Sequence, residues 1–172
     1  MQKLSQRHLI LKKLSKRSEK TDSEKLIKEM RETVKNDPKI IEKFKEYGVS
    51  IKNIDDIHIE FCDLDVSAKT KNRKIYINKQ MLKNPDKDPT HYLVHELIHY
   101  LQQKTGKNLN TAHTNDEYLD RPTEEEAFEA QVDFKKREEG RENATDYVEQ
   151  LLDYHDIDGK DRLEKEKELL DE

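Results

Sequence analysis

The hydrophobic positions of the first 47 residues follow a helical pattern. Leucines fall at loose helical spacing within 1–20, and a second apolar stripe follows Asp22. A third and shorter pattern begins after Pro38, a residue favoured in the first turn of a helix, and stops at Gly48. The sequence therefore predicts three helices in this part of the chain.

The pattern then changes from helical to alternating. Apolar and polar residues alternate over 56–66, which is typical of a strand with one buried face, and KIYIN at 74–78 repeats this pattern. KTKNR at 69–73 has the composition of a turn. We therefore predict a β-hairpin in which 56–66 and 74–78 are the two strands.

The most clearly delimited helix follows this predicted hairpin. Asp88 and Pro89 are typical of a helix start, and Gly106 is typical of a helix end. One face of the segment between them is apolar and consists of Val94, Leu97, Ile98 and Leu101. This face predicts a helix that packs against the core of the protein.

The remaining chain predicts one polar loop and three further helices. The loop covers 107–121, a helix opens at Pro122–Thr123 and continues to about Glu139, and two acidic helices follow near 143–154 and 160–170. The predicted fold class is therefore α+β: a small sheet packed on the central helix, with helices added at both ends.

Composition limits the size and setting of this fold. A chain of 172 residues allows one domain, and 32% hydrophobic residues against 41% charged residues predict a small core. We divide the chain into a helical segment 1–48, a core 49–140 and acidic helices 141–172 within one compact unit. No apolar run approaches the roughly 18 residues of a membrane span, so we expect a cytoplasmic protein without membrane contact.

Two further classes are disfavoured by cysteine content and charge. Cys62 is the single cysteine, which excludes an intramolecular disulfide and a cysteine-rich zinc knuckle. Residues 1–20 are basic, but no aromatic residues or nucleic-acid-binding motif accompany their lysines and arginines. Nucleic acid is therefore not the partner we expect.

The central helix carries the sequence His95-Glu96-Leu97-Ile98-His99, an HExxH motif. Residues i and i+4 are neighbours on one helix face, so His95 and His99 can both reach one Zn²⁺. Glu96 is rotated about 100° from His95, beside the metal rather than on it, where it can accept a proton from a zinc-bound water. The motif predicts His95 and His99 as metal ligands and Glu96 as the catalytic residue.

A catalytic zinc site needs a third protein ligand, which must come from outside the motif. The candidates are Glu124, Glu126 and Glu129 on the next helix and His113 in the polar loop. Thr123 and Glu126 have the spacing of a capping box, which would give Glu126 a structural role. We therefore favour Glu124 as the third ligand, and the other three candidates stay open.

Together these motifs resemble the gluzincin class of metallopeptidases. In layout the chain is similar to small ImmA/IrrE-like proteins and to metallopeptidase-like proteins of phages and plasmids, over roughly 56–135. The match lies in HELIH and in the ExxA pattern from Glu124 to Ala127, whereas Phe128 stands where these families usually have a polar residue. The resemblance implies a zincin-like fold and a substrate chain that lies extended beside 74–78.

The predicted function is zinc-dependent hydrolysis of peptide bonds in a protein or peptide substrate, with Glu96 as general base. The alternative is a zinc-stabilised regulatory or protein-interaction module on the same scaffold. Glu96 argues against that alternative, because a purely structural zinc site does not need this carboxylate. The sequence leaves the oligomeric state open.

Overall fold

A computed structural model describes residues 22–83, 88–107 and 118–170 of the chain. Two sequence predictions lie outside these residues: the helix within 1–20 and the position of His113. Within the described residues, six helices surround a sheet of three strands, which confirms the α+β class.

The first two helices pack on the main core. Helix α1 covers 22–36 and α2 covers Pro38–Glu46, and Asp37 between them accepts hydrogen bonds from the backbone N–H groups of Lys39 and Ile40. Asp37 therefore caps α2, as expected for an aspartate before a first-turn proline. The residues that these two helices bury in the main core are Met30, Val34, Ile40 and Phe44.

The sheet differs from the predicted hairpin. Its strands are β1 (Ile59–Cys62), β2 (Ala68–Lys71) and β3 (Lys74–Asn78), in the order β1-β3-β2. The prediction that 69–73 is only a turn is wrong, because β2 occupies most of it and pairs antiparallel with β3. The first predicted strand pairs with β3 in parallel instead.

A tight turn explains why this hairpin was missed. Asn72 and Arg73 connect β2 to β3 with φ angles of 52° and 59°. Positive φ at both central residues is the geometry of a two-residue hairpin turn, for which asparagine is a recognised signal and arginine is not.

In the order β1-β3-β2, strand β3 lies in the centre of the sheet and has a partner strand on each side. The prediction that a substrate chain adds to the sheet beside 74–78 is therefore wrong.

Helix α3 (Thr90–Thr105) lies in the middle of the molecule and contacts β2, β3 and α4. The predicted apolar face is confirmed, since Val94, Leu97, Ile98 and Leu101 are all buried. The helix begins one residue later than predicted, with the Asp88 carboxylate accepting from the Thr90 N–H. Gly106 ends it with a left-handed backbone, as predicted.

Three helices complete the fold as the sequence predicted, with small differences at their ends. They are α4 (Pro122–Glu139), α5 (Arg141–Tyr154) and α6 (Gly159–Leu170). Their contacts form a second hydrophobic cluster, centred on Val132, Val148 and Leu152. Helix α4 contributes to both clusters and so connects the C-terminal helices to α3. The proposed division of the chain at residues 48 and 140 stays a prediction.

None of the helices in the described part of the chain is both long enough and apolar enough to cross a membrane.

Candidate metal centre

Three side chains from α3 and α4 converge on one point. His95 Nε2 and His99 Nε2 are 3.1 Å apart, and Glu124 Oε2 lies 3.4 Å from the first and 3.3 Å from the second. Among the described residues, His95, His99 and Glu124 form a group that could hold a metal ion. We call these three residues the metal group.

The spacing of the metal group fits one small ion. Ligand atoms at ~2.0–2.1 Å from a tetrahedral zinc are about 3.3 Å from one another, close to the three observed distances. The three side chains are only 9–16% exposed, and Glu124 Oε2 is buried without a hydrogen-bond partner. A buried carboxylate oxygen without a partner is costly, and a cation between these atoms would remove that cost.

The electrostatics of the metal group favour a charged Glu124. Burial raises the pKa of Glu124, but the imidazoles of His95 and His99 lower it more, so its pKa lies below the ordinary value. Burial lowers the pKa of His99, but the Glu124 carboxylate raises it by more. The pKa of His99 therefore lies above its ordinary value. The group therefore concentrates negative charge on Glu124, next to two imidazole nitrogens.

A set of polar residues behind His99 fixes the orientation of its ring. His99 Nδ1 lies 2.9 Å from Gln102 Oε1, so a proton on Nδ1 donates to Gln102 and leaves the Nε2 lone pair free for a metal. The Gln102 amide in turn donates to Glu126 Oε2 at 3.1 Å. Glu126 also accepts from the Tyr47 hydroxyl and from Lys43. We call Gln102, Glu126, Tyr47 and Lys43 the supporting cluster.

The predicted capping box is therefore absent. Helix α4 begins at Pro122 with Arg121 at the cap position, and no side chain caps it. Glu126 does have a structural role, but in the supporting cluster instead of at the start of the helix. Glu124 and Glu126 are about 200° apart around α4, so only Glu124 faces the histidines.

Glu129 and His91 do not join the metal group. Glu129 lies on the surface of α4 that lines a cleft with α2, away from the histidines. His91, one turn before His95 on α3, is 6% exposed, and its Nδ1 accepts from Gln131 at 2.8 Å. Burial, with smaller contributions from Lys135 and His95, lowers the pKa of His91 to about 3.

Glu96 is not part of the metal group, and its carboxylate is fixed by a hydrogen bond from the edge strand β2. The Thr70 hydroxyl donates to Glu96 Oε2 at 2.6 Å and also lies 3.0 Å from the Glu96 carbonyl oxygen. Glu96 is 5% exposed and is not among the grouped ligands. Glu96 is therefore a buried carboxylate whose orientation is fixed by one side-chain hydrogen bond.

The residue that departs from the gluzincin pattern contacts His95 directly. The Phe128 ring lies edge-on to the His95 ring, with 4.5 Å between centroids, and His95 Nδ1 is buried without a hydrogen-bond partner. The two metal-group histidines thus differ, because His99 is oriented by a hydrogen bond and His95 by packing.

Three further residues lie beside the site. The first is Tyr118; burial raises its pKa, and the carboxylates of Glu124 and Glu96 raise it further. Its ring stacks on His155, a residue that no motif indicates. Thr70 was also missed, because it contacts Glu96 only through the pairing of β2 with β3.

The comparisons with known proteins add no relative. No family model matches the chain, and no curated protein or solved structure matches it either.

Proposed function

We propose that this protein is a zinc-dependent metallopeptidase. The observation that carries the proposal is the arrangement around HExxH: His95, His99 and Glu124 direct three donor atoms to one point, while Glu96 is held beside them. Two imidazoles and one carboxylate are a ligand set of catalytic zinc sites, which keep a fourth position open. In such a site zinc supplies Lewis-acid chemistry, lowering the pKa of water toward ~7 and polarising a carbonyl.

The side chains of the protein would carry the proton transfers. Glu96 accepts a proton from the attacking water and later returns it to the leaving amine. Thr70 orients the Glu96 carboxylate through the hydrogen bond at 2.6 Å. The Tyr118 hydroxyl, which is protonated at neutral pH as in any tyrosine, would donate to the carbonyl oxygen of the substrate as negative charge develops there.

The outer edge of β2 is the surface to which we assign an extended peptide. In the order β1-β3-β2, the outer edge of β2 has no partner strand among the described residues, and Thr70 on this strand contacts Glu96. A peptide added beside 68–71 would place its backbone next to the general base. Protein or peptide is therefore the substrate class that we propose.

The test of this proposal is a comparison of the zinc-loaded protein with its Glu96→Gln variant. Both are incubated with a diverse peptide library, and the products are identified by mass. We expect cleavage by the wild type and at least ~100-fold slower cleavage by Glu96→Gln, with zinc content and melting temperature unchanged. Thr105→Ala, a change at the far end of α3, is the control and should cleave normally.

Two results would overturn the proposal in different ways. Equal cleavage by Glu96→Gln would remove Glu96 from the mechanism. Absence of cleavage by the wild type, with zinc fully bound, would favour the alternative of a zinc-stabilised interaction module.

A further inference from the structure

Four rings form a continuous row that leads from the metal group to the protein surface. Beginning at His95, the row passes through Phe128, Tyr118, His155 and Tyr154. Successive centroids are 4.5, 6.2, 5.0 and 5.1 Å apart. These are the distances of stacked and edge-on aromatic contacts, so each ring fixes the next. We call Phe128, Tyr118, His155 and Tyr154 the aromatic row.

The inner part of the aromatic row lies beside the reactive groups. Phe128 packs edge-on against His95 of the metal group, with 4.5 Å between ring centroids. Tyr118 packs edge-on against Phe128 in turn, at 6.2 Å. The inner end of the row is therefore in direct contact with a residue of the metal group.

The outer part of the row is open to solvent. Tyr118 is 38% exposed and Tyr154 is 77% exposed, the largest exposed fraction among the large hydrophobic residues of the described chain. Tyr154 ends α5, and the left-handed backbone of Asp156, with φ of 55°, turns the chain directly after His155. This turn holds His155 flat on Tyr118, with 13° between the ring planes.

The exposed rings are unusual for this chain. Aromatic residues make up 6% of the sequence, whereas charged residues make up 41%. A solvent-exposed tyrosine at a helix end gains little for stability, whereas rings held rigidly by their neighbours bind a flat apolar side chain at low entropic cost.

We propose that the aromatic row is a binding subsite for an aromatic side chain of the peptide substrate, several residues away from the bond that is cleaved. This proposal rests on the proposed function, since it names the substrate class of the same site. The side chain would pack on Tyr154 and the edge of His155, and the peptide backbone would extend from there toward the metal group.

A binding experiment tests the subsite without requiring cleavage. The chain contains no tryptophan, so a blocked pentapeptide with one central tryptophan among alanines can be followed by its own fluorescence. The peptide is titrated with the zinc-loaded Glu96→Gln protein, and the all-alanine peptide is tested as a competitor. We expect the tryptophan peptide to bind at least about tenfold tighter than the alanine peptide.

Three variants in the same Glu96→Gln background locate the binding. Tyr154→Ala should weaken binding of the tryptophan peptide about fivefold, whereas Tyr154→Phe, which keeps the ring, should stay within about twofold. Leu163→Ala changes another exposed apolar residue that is not part of the row, and it should have no effect.

The outcomes separate this proposal from the proposed function. Equal binding of both peptides, no binding of either, or full binding by Tyr154→Ala would overturn the subsite, even where the wild type cleaves peptides. Tighter binding of the tryptophan peptide that depends on Tyr154 would support the subsite, even where the wild type cleaves nothing and the peptidase proposal fails.

Discussion

The metal group, between α3 and α4, and the supporting cluster, which also includes residues of α2 and its C-terminal end, are adjacent polar regions, but they differ in how their buried atoms are satisfied. In the supporting cluster, Glu126 accepts from Tyr47, Gln102 and Lys43. In the metal group, Glu124 Oε2 is buried without a hydrogen-bond partner and faces two imidazole nitrogens. Both regions have a glutamate from the first turns of α4, so the residue type does not explain the difference.

This difference identifies which region is built to bind a further component. A buried polar cluster that satisfies its own atoms stabilises the fold and has no requirement for a ligand. A buried carboxylate oxygen beside two imidazoles, without a hydrogen bond, is stabilised further when a cation lies between these atoms. The metal group is therefore the region that could hold an ion, and the supporting cluster orients one of its histidines.

The largest expected effect distinguishes the two glutamates. Glu124→Ala should lower zinc affinity more than about 100-fold, because it removes a ligand, while Glu126→Ala should lower it about tenfold, because it removes only a support. Zinc content of the purified proteins and a competitive titration against a chelating dye measure both values. Equal losses, or a larger loss in Glu126→Ala, would show that the two roles are assigned incorrectly.

A smaller effect is expected one step away from the metal. Gln102→Ala removes the group that orients His99, so zinc affinity should fall by about tenfold while one ion per chain is still bound. Gln103→Ala is the matched control, since the Gln103 side chain contacts the β2–β3 hairpin and not the histidines. An unchanged affinity in Gln102→Ala would mean that packing alone orients His99.

The contact between Thr70 and Glu96 affects rate instead of metal binding. Thr70→Val keeps the shape of the side chain but removes the hydrogen bond to Glu96, so kcat should fall about fivefold with zinc content unchanged. Thr70→Ser retains a hydroxyl and should recover most of the rate. A valine variant with full kcat would indicate that Glu96 needs no support from β2.

The smallest effect concerns His91, a histidine on α3 that has its own partner. Its pKa is lowered to about 3 in the fold, below the ordinary value of 6.5. Between these values the unfolded chain binds a proton that the folded chain does not, so stability falls as the pH drops below 6.5, by up to about 1.4 kcal/mol per pH unit. Urea unfolding of the metal-free protein between pH 7.5 and 5 measures this slope.

His91→Gln removes the titrating group and is the matched variant for that measurement. Its free energy of unfolding should decline less steeply than that of the wild type over the same pH range. Identical slopes would show that His91 does not contribute to the pH dependence.

The sequence predicted the elements that carry the metal group because their signals are local. The HExxH spacing and the apolar face of α3 lie within one helix, and Pro122 marks the start of the helix that presents Glu124. Glu124 does lie with the two histidines, as predicted. The capping box that favoured Glu124 over Glu126 does not form, however, so that part of the prediction is wrong.

The residues that complete the site could not be predicted because their contacts are distant in sequence. Thr70 reaches Glu96 across 26 residues, and Tyr47 reaches Glu126 across 79 residues. Strand β2 gave no strand signal, since an edge strand with alternating lysines has little apolar character. Its pairing with β3, and so the position of Thr70, depends on a turn with positive φ at Arg73.

A crystal structure of the zinc-loaded protein, with anomalous scattering measured at the zinc edge, tests the metal group most directly. We expect a single anomalous peak about 2.0–2.2 Å from His95 Nε2, His99 Nε2 and Glu124 Oε2, and none at the supporting cluster. Absence of a peak there, or a peak coordinated by Glu126 in place of Glu124, would contradict the account.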